Sequence, residues 1–93
     1  MLEKAIERYL VQEVNKLGGL CLKFSSPGRR NVPDRIVLWP GGFADFVECK
    51  STTGKCTKGQ LREHERLRVL GFSVEVVNSA FDVDQYCLRK GGL

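Results

Sequence analysis

A glutamate and a lysine two positions apart, Glu48 and Lys50, stand inside a run that otherwise reads as a half-buried β-strand. No other feature constrains the fold as much. Successive strand side chains point to opposite faces, so Glu48 and Lys50 share one face with Phe46, while Val47 and Cys49 point into a core on the other. Charged groups there are costly unless they are paired or bound to metal. Arg35 to Trp39 reads as a neighbouring strand, and its near-continuous apolar run, Ile36-Val37-Leu38, suggests cover on both faces. Between the two runs, Pro40-Gly41-Gly42 is a turn signal, which makes them a hairpin. Such a hairpin sets Asp34 beside Glu48. Two hard oxygen donors with an ammonium alongside suit a divalent cation and metal-assisted phosphodiester cleavage. A plain Glu48–Lys50 salt bridge is the structural alternative. Asp45 falls on the opposite face and is excluded from the site.

The spacing assigns Asp34 and Glu48 as ligands of one or two Mg2+ (or Mn2+), with the Cys49 backbone carbonyl completing the protein donors. Lys50 then orients or deprotonates a bound water, or stabilises developing negative charge. A neutral lysine base needs a lowered pKa, and nearby carboxylates push it the other way. The orienting or electrostatic role is therefore favoured.

Asn31-Val32-Pro33-Asp34, then Glu48-Cys49-Lys50, then Thr57-x-x-Gln60 ahead of a Leu-rich helix form an ordered set. With Glu7 in the first helix, this set resembles the VRR-NUC branch of the PD-(D/E)xK nucleases. The resemblance extends from Glu7 to Val77. The short PD…ExK string alone is weak, because common residues recur by chance; the ordered set is far more specific. The resemblance implies a restriction-endonuclease-like αβββαβ core and an Mg2+- or Mn2+-dependent endodeoxyribonuclease. It also implies that Glu7 faces the metal centre as an accessory ligand and that Gln60 points into the active site. Stand-alone members of this branch look like homodimers, similar in activity to Holliday-junction resolvases. They also look like phage or mobile-element products, which implies the cytoplasm of a bacterial or phage-infected cell.

Ninety-three residues suggest a single domain spanning 1–93, with an ordinary apolar fraction of 42%. The formal net charge of +4 points weakly to a polyanion partner. Four cysteines (Cys21, Cys49, Cys56, Cys87) include no C-x-x-C, and His64 is the single histidine. Cys21, Cys49 and Cys87 sit in apolar runs as small core residues, so reduced thiols are expected over a zinc-stabilised interaction domain. Nothing resembles a signal peptide or a membrane span.

Ile6, Leu10, Val14 and Leu17 make the apolar stripe of a first helix that Gly18-Gly19 ends. Glu7 lies beside that stripe, where a solvated helix carboxylate is an equal reading. Leu20 to Ser25 alternates as a strand. The following loop carries Arg29 and Arg30, whose planar forks suit phosphate, although a solvated loop is also possible. Pro33 stiffens the approach to Asp34. Thr57 with Gln60 matches a capping box, so Gln60 has a structural alternative that one side chain cannot easily combine with a place in the site. The helix from Lys58 to about Leu70 sets Leu61, His64, Leu67 and Leu70 on its apolar side, with His64 read as a surface or packing histidine. Phe72 to Asn78 reads as a strand, and Ser79 with Asp82 caps a last helix ending near Lys90. Gly91-Gly92-Leu93 is read as a frayed end.

Helix, three strands, helix, strand, helix gives an α/β fold: a small mixed sheet flanked by helices, with the last two strands parallel across a helical crossover. With no separate DNA-binding domain, affinity rests on phosphate contacts from Arg29, Arg30, Lys55, Lys58, Arg62 and Lys23. Such contacts position DNA without reading its bases, which favours cutting by shape, on branched DNA such as a four-way junction. A twofold dimer would match the junction's symmetry. The alternatives are a nicking or flap endonuclease on branched DNA, and a non-catalytic nucleic-acid-binding module.

Overall fold

Ile6, Leu10 and Val14 recur every four residues and are fully buried, and they turn the first helix, α1 (Glu3–Lys16), against the sheet. The helix ends in a double glycine-supported cap. Gly18 adopts φ +84°, its N–H donates to Asn15 O at 3.0 Å, and Gly19 N–H reaches back to Val14 O at 3.0 Å. That paired 5→2 and 6→1 pattern satisfies carbonyls the helix end would otherwise orphan. Leu17, expected in the apolar stripe, is instead the exposed C-cap residue, because the turn to Gly18 carries it off the helix face.

A computed structural model describes residues 1–91; Gly92 and Leu93 of the expected frayed end lie outside the described residues. After α1 come β1 (Leu20–Lys23), β2 (Arg35–Trp39), β3 (Phe43–Cys49), α2 (Lys58–Val69), β4 (Ser73–Val77) and α3 (Ala80–Gly91). The order is the expected one, and Gly91 belongs to α3. The strands lie β1-β2-β3-β4, the first two pairings antiparallel and the last parallel. Gly41 and Gly42 take φ of +94° and +87° in the β2–β3 turn, a conformation side chains with a Cβ rarely adopt.

Val37, Val47, Cys49 and Val77 on one sheet face meet Ile6, Leu10 and Val14 of α1 and Val83, Tyr86 and Cys87 of α3. Each fully buried aliphatic side chain contributes about 1.5–3 kcal/mol. The interior between the sheet and α1/α3 therefore dominates stability. All four cysteines are free thiols.

The opposite face is covered unevenly. Phe46 packs on Phe24 and Phe72, with ring centroids 5.7 and 5.4 Å away. Farther along the sheet Leu20, Leu22 and Leu38 remain 51%, 42% and 39% exposed. The expected double cover of β2 is thus absent at Leu38, since the helix on this face, α2, makes its main packing against β4. Of the apolar side read from the sequence, His64 is fully buried and Leu67 half-buried, whereas Leu61 and the C-cap residue Leu70 are exposed, and Glu63 is buried beside His64.

Candidate active site

The β2–β3 register builds the site. Arg35 pairs with Val47 and Ile36 with Phe46; one step further, the same antiparallel register sets Asp34 opposite Glu48. Asp34 is tied down on both sides. Its Oδ2 accepts from Cys49 N–H at 2.9 Å, and its carbonyl accepts from Phe24 N–H at 2.8 Å. Glu48 is 1% exposed. Lys50 continues the parallel ladder, donating its N–H to Val77 O at 2.9 Å, and its Nζ lies 3.5 Å from Glu48 Oε2.

Helix α2 closes the site from above. Thr57 Oγ1 accepts from Gln60 N–H at 3.1 Å, and Gln60 Oε1 accepts from Thr57 N–H at 2.9 Å, a complete capping box. The same amide directs its Nε2 to Glu48 Oε2 at 3.4 Å. The expected conflict between cap and site does not arise, because an amide has an acceptor end and a donor end. One turn later His64 is fully buried with Nε2 3.7 Å from Glu48 Oε1. Among the described residues, Glu48 Oε1 and both ring nitrogens of His64 have no hydrogen-bond partner.

Burial, followed by the charge and hydrogen bonding of Asp34, pushes the Glu48 carboxyl up to about 8; Lys50 only partly opposes this. Two acids are held together in a place that strongly disfavours both being ionised. Burial, then the charges of Arg68 and Lys50, lowers the His64 pKa and favours a neutral imidazole. Among the described residues no three His, Cys, Asp or Glu side chains gather as a ligand set. A small hard cation that keeps several waters needs only one or two carboxylates. Asp34 and the under-partnered Glu48 fit such an ion.

The remaining predicted residues divide. Glu7 lies on the α1 side of the sheet, the face of Arg35 and Lys23 rather than that of Glu48. Its Oε2 accepts from Lys23 Nζ at 3.0 Å and from Arg35 Nε at 2.9 Å. Burial works to raise its pKa, but those two cations prevail and lower it. Arg29 makes a two-pronged bond to the buried carboxylate of Glu63, Nε to Oε2 at 2.6 Å and Nη2 to Oε1 at 2.8 Å. It staples its loop to α2. Arg30, Lys55, Lys58 and Arg62 are exposed. Asp45 sits on the opposite face, bonded to Tyr86 and Trp39. Sequence reasoning left out His64 as a site neighbour. The available signal was its spacing of four from Gln60, which puts both on one helix face.

No family model matches the chain. It is 56% identical over 77 residues to "Putative nuclease p44" of Acyrthosiphon pisum secondary endosymbiont phage 1, an alignment covering 83% of each protein. A solved structure described as a VRR_NUC domain superposes with a TM-score of 0.83 at 42% identity, over 89% of this chain and 90% of that one. Likeness this high, across most of the length of both partners, makes the chain a member of the VRR-NUC family of nucleases.

Proposed function

We propose that this protein is an endodeoxyribonuclease, dependent on Mg2+ (or Mn2+), that cuts branched DNA, with a four-way junction as substrate and a homodimer as the working form. The observation that carries the reading is the Asp34–Glu48 pair. The hairpin register sets two carboxylates opposite each other, one of them buried with an oxygen lacking any partner and a pKa pushed up to about 8. Such a pair is unfavourable by itself and becomes favourable around a cation.

Asp34, Glu48 and the Cys49 carbonyl would supply the protein's donors. The bound ion would lower the pKa of a water and polarise the scissile phosphate. Cys49 N–H holds Asp34, and Gln60 Nε2 approaches Glu48, so both acids are oriented by backbone and helix cap before substrate arrives. The Lys50 side chain, with Nζ 3.5 Å from Glu48 Oε2, orients the attacking water and stabilises charge on the phosphate. Glu7, held by two cations on the other face, serves as their counter-charge in this reading. Exposed Arg30, Lys55, Lys58 and Arg62 supply phosphate contacts that position the backbone without reading bases. Contiguous exposed apolar surface of the kind made by Leu20, Leu22 and Leu38 is a common mark of a protein partner, and it supports a second copy.

The test is a panel of labelled four-way junctions, flaps and linear duplexes, incubated with Mg2+, Mn2+ or chelator. Paired incisions on the junction that vanish with chelator support the full reading. Single nicks at branch points would move the substrate to flaps, and metal-independent cutting would remove the cation. Sedimentation of Leu22→Glu beside the wild type tests the dimer.

A further inference from the structure

Glu48 is approached from α2 by two side chains one helical turn apart, Gln60 toward Oε2 and His64 toward Oε1. Gln60 is tied into the cap of its helix by two further bonds, which explains its place without reference to Glu48. Nothing comparable explains His64. It is fully buried on a helix whose Leu61 is exposed, and neither of its ring nitrogens has a hydrogen-bond partner among the described residues. Across a 3.7 Å gap lies Glu48 Oε1, a buried oxygen that also has no partner. Buried polar groups in folded proteins are nearly always hydrogen-bonded, and an exception calls for a reason. Here the unsatisfied donor and the unsatisfied acceptor face each other.

We infer that His64 is a positioning residue for Glu48: as a neutral imidazole it donates Nε2–H to Oε1 and fixes the rotation of the carboxylate beside Asp34. The inference rests on the metal-site reading of Asp34 and Glu48 proposed above. Once Glu48 is ionised around a cation, its Oε1 becomes a stronger acceptor, and a contraction of less than an ångström makes the bond. Histidine suits the post because its ring fills the space under α2 while offering one directional donor. Partners that orient a ligating carboxylate typically alter metal affinity 10–100-fold when removed. A leucine at position 64 would fill similar volume and lack the donor; an asparagine or glutamine would retain a donor.

The experiment compares wild type, His64→Leu, His64→Asn and His64→Gln by thermal unfolding, by Mn2+ binding to the DNA-free protein measured with electron paramagnetic resonance, and by kcat and KM on a junction. His64→Leu is expected to stay folded, to bind Mn2+ roughly tenfold or more weakly, and to lose kcat with KM little changed, with Asn or Gln recovering a good part. Equal Mn2+ affinity in Leu and wild type overturns the inference, as does a loss shared by all three variants in proportion to their melting temperatures. Long-range 15N–1H correlation on Mg2+-loaded wild type decides the matter even if a variant fails to fold. A Nε2–H tautomer is expected, and a Nδ1–H tautomer refutes the bond. If wild type binds no Mn2+ at all, the metal-site reading fails and takes this inference with it. That result differs from wild-type binding that His64→Leu leaves untouched.

Discussion

The two faces of the sheet treat their buried acids in opposite ways. On the α1/α3 face Asp45 accepts from Tyr86 Oη at 2.7 Å and from Trp39 Nε1 at 3.1 Å, with Lys90 Nζ 3.2 Å away. Every demand of that carboxylate is met from within the fold. On the α2 face Glu48 is just as buried, yet among the described residues one oxygen has no hydrogen-bond partner, and the carboxyl is otherwise met by its fellow acid Asp34 and by long approaches from Gln60 and Lys50. A fully satisfied polar network rigidifies a core, whereas a partly satisfied one costs stability. The difference separates an acid that serves the fold from one that, in the function proposed above, is held for a ligand. Natural sequences tend to break local rules at functional sites.

The comparison breaks most sharply at catalysis. Replacing Asp34, Glu48 or Lys50 by alanine is expected to cut the cleavage rate roughly a thousandfold or more, equivalent to about 4 kcal/mol of barrier, while circular dichroism stays native. Near-wild-type turnover in all three would place the reaction elsewhere. Asp45→Ala should do the reverse. It strands Trp39, Tyr86 and Lys90 in or near the core and is expected to lower unfolding free energy by about 3 kcal/mol in a denaturant titration. Protein that remains folded should keep its kcat.

A pH series on metal-free protein sharpens the contrast. Glu48 has an ordinary value of 4.5 and is raised to about 8 in the fold, first by burial and then by Asp34. The folded state therefore holds a proton that the unfolded chain releases, and its contribution is complete below about 4.5 and lost as pH rises through about 8. Melting temperature should fall across that window, recover with added Mg2+, and lose much of its slope in Glu48→Gln. A flat profile in the wild type would contradict the buried-acid account.

The smallest effect separates staple from clamp. Arg29→Ala should lower the melting temperature slightly through the lost two-pronged bond to Glu63, with little change in how DNA affinity responds to salt. Arg30→Ala, Lys55→Ala and Lys58→Ala should leave the melting temperature unchanged and each reduce the salt slope by roughly one. If Arg29→Ala also flattens the salt dependence, Arg29 contacts phosphate as the sequence suggested.

Some of this was legible in the chain before any coordinates. The turn at Pro40-Gly41-Gly42 defined the hairpin, and the strand period put Glu48 and Lys50 on one face and Asp45 on the other. The Thr57–Gln60 pair marked the start of α2. What was not legible involved partners far apart in sequence. The choice of Arg29 for Glu63 and of Lys23 and Arg35 for Glu7 depends on which charged side chains the packed elements bring together; in the sequence Arg29 and Lys23 looked free to meet DNA, and Glu7 to meet metal.

By itself, then, the sequence determined the order of elements, the faces of the central strands and the pairing register that opposes Asp34 to Glu48. These follow from backbone periodicity and turn chemistry acting over a few residues. Only the tertiary structure decided that His64 is buried against Glu48, that Glu7 is paired across the sheet from the site, and that a row of leucines on β1 and β2 is left uncovered. Those outcomes depend on how helices seat on a sheet, which is governed by volume and charge contributed from the whole chain.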